Sequence, residues 1–388
     1  MLCISQMRAM KTKTRRVSTL GRPSVWAVMK QRVRSLFCAG KSPTISISTA
    51  ANESLHVQGM NGGNGSLRTP DLLRDIADVS LQISLDTIES LKPGFLSSAT
   101  IDDDLKNIKE CSPADIEFDR DSRGRLVEIG SGGFGTVFLA THRPTGDVVA
   151  VKMFKRKYSS DQRIRREAAV LGHLAGTKLC PEFYGLVDYG ADGGVAEGRF
   201  AHLAVVTELV RFRKSTLQCF DLKKFSQTYF ARRGLTSQDW LNFSLELVEG
   251  VQEIHEKGVG VFDLKYENIM VTRDRQGAIH PRIVDFGAAC ALNGDKPMMP
   301  PERFSLETLR ALRHDSVHLA PEIFEHGVSS AAWDVYSLGH VLQALAEGEK
   351  MEDLKVLMGQ CVADDPALRP SLTLLLQEMS ALSNADMV

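Results

Sequence analysis

The sequence predicts an α+β chain in which a β-rich lobe precedes a larger α-rich lobe, with a basic extension in front. Three observations predict it. Up to about residue 68 the chain is rich in Ser, Thr, Gly and basic residues, a composition that buries too little surface to offset its ordering entropy. From about Ile116 strand-like runs begin, among them Arg125–Ile129 and Val137–Thr141. From Thr236 onward the apolar residues change to helical spacing: Trp240, Phe243, Leu247, Val248, Val251 and Ile254 follow a start bracketed by Thr236 and Asp239. The boundaries fall at 1–68 for an extension expected to lack structure, 69–115 for a short helical linker, and 116–388 for the two-lobed domain.

Within the extension, Val25, Trp26, Met29, Val33, Leu36 and Phe37 share one rough helical face, with Arg22, Lys30, Arg32 and Arg34 around it. In the linker, Thr69-Pro70-Asp71 reads as a helix start, followed by the stripe Leu72, Leu73, Ile76 and Val79. A second stripe, Leu85, Ile88 and Leu91, stops at Pro93-Gly94. Helices this short are marginal alone, so their apolar faces should dock on the neighbouring domain or on a partner.

Charge divides the chain in the same way. The formal net charge of the 388 residues is −1, yet residues 1–52 hold ten Lys and Arg and no acidic residue. The rest is acidic, which gives no case for nucleic acid as a partner. The basic start has three readings: a mitochondrial transit peptide, an arm for anionic membrane or calmodulin with Trp26 and Leu36 as anchors, or a solvated regulatory arm. Arg15-Arg16-Val17-Ser18 also resembles a substrate motif of basophilic kinases, where a phosphate would cut the positive charge. The seven cysteines (Cys3, Cys38, Cys111, Cys180, Cys219, Cys290, Cys361) are odd in number and never spaced C-x-x-C, so neither a disulfide framework nor a zinc site is expected. With no apolar run of membrane-spanning length, the expectation is a soluble, intracellular, monomeric chain of the cytoplasm.

The chemistry is carried by motifs in order. Gly130-Ser131-Gly132-Gly133-Phe134-Gly135-Thr136-Val137 is a glycine-rich turn between strand-like stretches, and Ile129 leads into it. Such a turn lets backbone N–H groups approach phosphates, although alone it fits an unliganded hairpin equally well. Val149-Ala150-Val151-Lys152 follows as a strand ending in lysine. By itself Lys152 reads as a surface lysine. A helix starting at Ser160 or Asp161 carries Glu167, which could pair with it. Then come Val261-Phe262-Asp263-Leu264-Lys265-Tyr266-Glu267-Asn268-Ile269-Met270 and Ile283-Val284-Asp285-Phe286-Gly287.

In these parts and their spacing the chain resembles the eukaryotic protein kinase family, as a Ser/Thr kinase. Ala320-Pro321-Glu322, the Asp334-Val335-Tyr336-Ser337-Leu338-Gly339 run and Arg369 extend the resemblance over some two thirds of the chain. It implies a small lobe (116–207) of antiparallel sheet plus one helix, a hinge at 208–213, and a helical lobe over 214–388. It implies transfer of the γ-phosphoryl group of ATP, with Mg²⁺, to Ser/Thr hydroxyls of protein substrates. In that reading Asp263 receives the acceptor hydroxyl and Lys265 supports the transferring group. Lys152 and Glu167 hold the nucleotide, and Asn268 and Asp285 bind metal. Thr207 falls at the gatekeeper position, Glu208 and Val210 at the adenine-binding hinge, and Val137, Ala150 and Met270 at the apolar walls.

The sequence also departs from the family pattern. Val261-Phe262 stands where His-Arg is usual, so no cation precedes Asp263 to meet a phosphate on the activation segment. Activity independent of activation-segment phosphorylation is therefore expected, although Ser305, Thr308 and Ser316 are present. Lys265 favours Ser/Thr as acceptor, whereas Asp315 replaces the usual threonine and Tyr266 a proline. His314 and His318 form one H-x-x-x-H spacing, read as core or surface histidines because the segment should be irregular and lacks the accompanying glutamate. His255 is read the same way. The rival to an enzyme is a pseudokinase-type nucleotide-binding scaffold, and a small-molecule phosphotransferase comes third.

Overall fold

The computed structural model describes residues 107–190, 199–292, 313–314, 316–324, 329–349 and 351–385, together with two strands nearer the front. The chain divides into two units, Met1–Ala77 and Asp78–Val388. In the first, β1 (Ser54–Gln58) pairs antiparallel with β2 (Asn64–Arg68) across the glycine-rich segment 59–63, inside the stretch expected to lack structure. The basic helical face at 22–37, the stripes at 72–91, Asp315, Ser305 and Thr308 lie outside the described residues.

The small lobe is an antiparallel sheet of six strands: β3 (Ile116–Phe118), β4 (Glu128–Ser131), β5 (Gly135–His142), β6 (Asp147–Lys155), β7 (Phe183–Asp188) and β8 (Phe200–Glu208). The order is β3-β5-β6-β8-β7, and β4 also pairs with β5. The strand expected from Arg125 begins only at Glu128. Asp121 Oδ1 accepts the backbone N–H groups of Arg123 and Arg125 at 2.8 and 3.0 Å, which holds Arg125 in a turn. Contact with the sheet starts ahead of residue 116, because Leu186 N donates to Lys109 O and Cys111 N to Leu186 O, each at 2.9 Å.

Strand periodicity sorts this lobe into two faces. Val149, Val151 and Met153 alternate onto one side and join Phe138, Ala140, Ala204 and Val206 in an apolar cluster. The register pairs Val137 with Lys152, Lys152 with Val205, and Ala150 with Thr207, so these residues share the opposite side. On that side lies α1 (Asp161–His173). Its N-cap is Ser160, whose hydroxyl accepts from Arg163 N at 3.4 Å.

The larger lobe follows with α2 (Leu222–Ser226), α3 (Tyr229–Gly234) and α4 (Ser237–Glu256). Thr236 and Asp239 close a reciprocal capping box on α4, as their spacing predicts, and all six apolar residues of its stripe are buried. Two short pairs come next, β9 (Val259–Gly260) with β12 (Cys290–Ala291), and β10 (Ile269–Arg273) with β11 (Ile279–Ile283). Helices α5 (Ala331–Glu349), α6 (Glu352–Cys361) and α7 (Leu372–Ala385) complete the lobe, with α5 and α7 packed on α4. This is the two-lobed α+β arrangement that the motifs imply. Burial pushes the Cys180, Cys290 and Cys361 thiols up to about 12, so they act as packing groups, not nucleophiles. Among the described residues no helix is long and apolar enough to cross a membrane.

Candidate active site

Lys152 points from β6 to two carboxylates at once. Its Nζ donates to Glu167 Oε1 at 2.7 Å and to Asp285 Oδ1 at 3.1 Å. One residue of the sheet, one of α1 and one following β11 are thereby joined. Burial disfavours the Lys152 charge, but Asp285 and Glu167 outweigh it and hold the ammonium above the ordinary lysine range. Burial also lifts Glu167, against the pull of Lys152. For Asp285 the balance reverses: burial would raise it, yet Lys152, the Gly287 N–H and Lys265 hold it below the ordinary aspartate range. Asp285 is thus kept ionised, the form in which its oxygens can ligate a cation.

The loop carrying Asp263 is hung from α5. Asp334 is fully buried and accepts Val261 N on Oδ2 and Phe262 N on Oδ1, both at 2.7 Å. His255 adds a third bond to Oδ2 at 2.8 Å, so this histidine, expected to serve only as core or surface, ties α4 to α5. Phe262 stands at φ 61°, a conformation uncommon outside glycine, with its ring 1% exposed and edge-on to Trp333 at 5.1 Å. Gly260 is required beneath that ring, since a Cβ there would lie 2.2 Å from it.

Asp263 is surrounded by donors. Lys265 Nζ reaches its Oδ2 at 2.7 Å, and Asn268 Nδ2 reaches its Oδ2 and its carbonyl, both at 2.9 Å. Because the amide nitrogen is engaged there, the Asn268 side-chain oxygen faces the other way, available to a cation. Pairing of Ile269 with Ile283, and the bond from Val284 N to Asn268 O at 3.1 Å, sets Asn268 beside the stretch that carries Asp285. A third donor is His318, whose Nε2 lies 3.0 Å from Asp263 Oδ1. Sequence reasoning weighs His318 only as half of a metal spacing and misses this contact. Nothing local in the sequence signals it.

The glycine-rich turn hangs over the cleft side of the sheet. Gly132 N donates to Gly135 O at 2.9 Å, Lys155 Nζ to Gly132 O at 2.8 Å, and Phe134 stacks under Arg163 at 4.3 Å. Gly135 is required sterically, as a Cβ would sit 2.7 Å from Met153 O, whereas the space beside Gly130 and Gly132 is open. At the far end of β8, Glu208 donates its N–H to Glu182 O at 2.8 Å. Val137, Ala150, Thr207 and Met270 are half-buried, while Val210 is buried. Below the site Arg369 grips Glu322 with two bonds of 2.6 and 2.7 Å.

The donor set suits a hard cation. Asp285 and Asn268 offer oxygens, and among the described residues no group of three or more His, Cys, Asp or Glu forms a closed cage. Two protein oxygens plus phosphates and water is how Mg²⁺ is ordinarily held.

Residues 124–353 match the family described as Protein kinase domain. Over 222 residues the chain is 28% identical to the smooth-muscle myosin light chain kinase of Gallus gallus, covering 57% of this chain and 10% of that protein. It is 28% identical over 257 residues to the interferon-induced, double-stranded RNA-activated protein kinase of Rattus norvegicus, covering 62% and 45% respectively. Against CBL-interacting protein kinase 25 of Oryza sativa subsp. japonica it is 27% identical over 235 residues, covering 57% and 39%. The chain spans less than half the length of each of these curated relatives. With the family match running through more than half of the sequence, and the motifs set in a two-lobed fold, the chain belongs to the eukaryotic-type protein kinase family.

Proposed function

We propose that the protein transfers the γ-phosphoryl group of Mg·ATP to Ser or Thr hydroxyls of protein substrates, independently of activation-segment phosphorylation. The observation that carries this reading is the bridge from Lys152 to Glu167 and Asp285, which joins both lobes around one cationic group. Lys152, steadied by Glu167, faces the α- and β-phosphates, and the turn from Ile129 to Val137 covers them with backbone N–H groups. The Glu208 carbonyl and the Val210 backbone take the adenine edge, between Val137, Ala150 and Met270 and beside Thr207. Asp285 and Asn268 would hold Mg²⁺, which when bound neutralises charge on the β- and γ-phosphates. Asp263 receives the acceptor hydroxyl and its proton, and Lys265, already beside it, supports the transferring group. Positioning and fixed charge supply most of the barrier lowering in such a transfer.

Independence from phosphorylation is supported by Phe262. Its ring is committed to the interior against Trp333, so this position offers no cation to a phosphate. Lys265 favours Ser/Thr over Tyr. We further infer a domain over 116–388, preceded by a linker and a basic arm. The ten cations of residues 1–52, with no acidic residue among them, fit anionic membrane or calmodulin as partner, in a cytoplasmic setting.

Purified full chain with γ-labelled ATP and a peptide library tests the reading. Phosphoserine and phosphothreonine are expected, unchanged after phosphatase pretreatment of the enzyme and abolished in Asp263→Asn. Phosphotyrosine alone would overturn the hydroxyl class, and loss of activity after phosphatase would overturn independence. Nucleotide binding without any transfer would favour the scaffold reading, which the Val261-Phe262 and Asp315 departures support.

A further inference from the structure

Resting on the kinase reading above, we propose that His318 is a positioning residue for the acceptor base: it holds the second oxygen of Asp263 and so fixes the direction from which the acceptor hydroxyl is received. Two of the donors to Asp263, Lys265 and Asn268, lie two and five residues beyond it and both reach Oδ2. They belong to the same short loop and move with it. The terminal torsion of an aspartate is broad, so donors gathered on one oxygen leave the carboxylate able to pivot about that oxygen. His318 comes from a stretch 55 residues away and takes the opposite oxygen, Oδ1, at 3.0 Å. An ionised carboxylate only accepts, so Nε2 carries the hydrogen in this contact.

Helix α5 references both partners. Asp334 grips the backbone of Val261 and Phe262, immediately before Asp263. Three residues on, Ser337 is 1% exposed and its hydroxyl donates to the His318 carbonyl at 2.7 Å, with the Trp333 carbonyl also within 3.1 Å. Residues three apart on a helix share a face, so the loop carrying the base and the segment carrying its histidine hang from one side of one helix. That common mounting is what a fixed His318–Asp263 distance requires. His318 and Asp263 remain 19% and 25% exposed, so the pair is open to an approaching side chain. Oδ1 has two lone pairs; the histidine engages one, and the other is free in direction to meet a hydroxyl.

The test uses the full chain with His318→Ala and His318→Gln, the second of which keeps an N–H donor near the place of Nε2. For a Ser/Thr peptide, His318→Ala should lower kcat by on the order of tenfold to a hundredfold, the factor expected for one hydrogen bond to a charged group. Calorimetric affinity for Mg·ATP should not change, and His318→Gln should recover most of kcat. A parallel measurement needs no activity: in ¹⁵N-histidine spectra the His318 Nε2–H signal should be present in the wild type and lost or shifted in Asp263→Asn. Unchanged or raised kcat in a folded His318→Ala would overturn the proposal, the latter showing a plug in place of a support. A His318 signal indifferent to Asp263→Asn would overturn it as well, and serves if the alanine variant fails to fold. A wild type that neither binds Mg·ATP nor transfers phosphate would instead sink the kinase reading, with the spectrum still deciding the His318–Asp263 contact.

Discussion

Phe262 combines two features that individually call for explanation, a positive φ in a non-glycine residue and an aromatic ring 1% exposed in the loop that carries the candidate base. The Asp334 bonds to Val261 N and Phe262 N hold the backbone that leads into the residue, and the ring fills the space between Gly260 and Trp333. Strain of this sort persists only where the surroundings over-determine it. Phe262→Ala should therefore empty a tightly packed pocket and cost about 3–5 kcal/mol of stability, read from chemical denaturation. A loss below about 1 kcal/mol would mean that the ring is not structural. The departure at this position is plain in the sequence, but its consequence is not. Sequence shows a missing arginine; only the structure shows where the replacing side chain goes.

At the scale of elements, α5 connects α4, the Asp263 loop and the His318 segment through Asp334 and Ser337. Asp334→Ala would leave the Val261 and Phe262 N–H groups and the His255 ring without their acceptor. Each unsatisfied buried group costs about 1–3 kcal/mol, so a loss of at least about 3 kcal/mol is expected, with faster hydrogen exchange at Val261 and Phe262. A second expectation concerns β11 and α4. Burial pulls the His280 pKa down, but its bonds to Glu246 at 2.7 Å and Asp274 at 3.3 Å outweigh this and raise it. Stabilisation by His280 should therefore be fully present below its ordinary pKa, about 6.5, and be lost as pH rises through the raised folded value. The melting-temperature difference between wild type and His280→Gln should be larger at about pH 6 than at about pH 9. The opposite trend would show that the two carboxylates do not govern this histidine. Elements with strong local signals are legible: the capping box at Thr236 and the start of α1 at Ser160 stand where their spacing puts them. The strand expected from Arg125 is not, because Asp121 takes that backbone into a turn, a competition that apolar alternation cannot register.

Across the whole molecule, the site is assembled from stretches more than a hundred residues apart, as with Lys152 and Asp285. The order of the motifs makes Lys152, Glu167, Asp263, Lys265, Asn268 and Asp285 legible from the amino-acid sequence alone. His318 is not legible there, because its contact with Asp263 depends on how Ser337 holds a segment with no regular structure. In the larger lobe, Arg369 is 1% exposed at its side chain and pairs with Glu322. Removing one partner leaves the other charge buried, so Arg369→Ala should cost about 3–5 kcal/mol, and the double variant with Glu322→Ala should cost less than the two losses added. Strict additivity in denaturation would show that the pair is not coupled. All of this matters to function only if the two lobes grip a nucleotide between them. Isothermal calorimetry with Mg·ATP measures that grip directly. Wild-type protein should give a saturable heat that Lys152→Met and Asp285→Asn each weaken by at least about tenfold, equivalent to about 1.4 kcal/mol; no heat from the wild type at millimolar nucleotide would contradict the account.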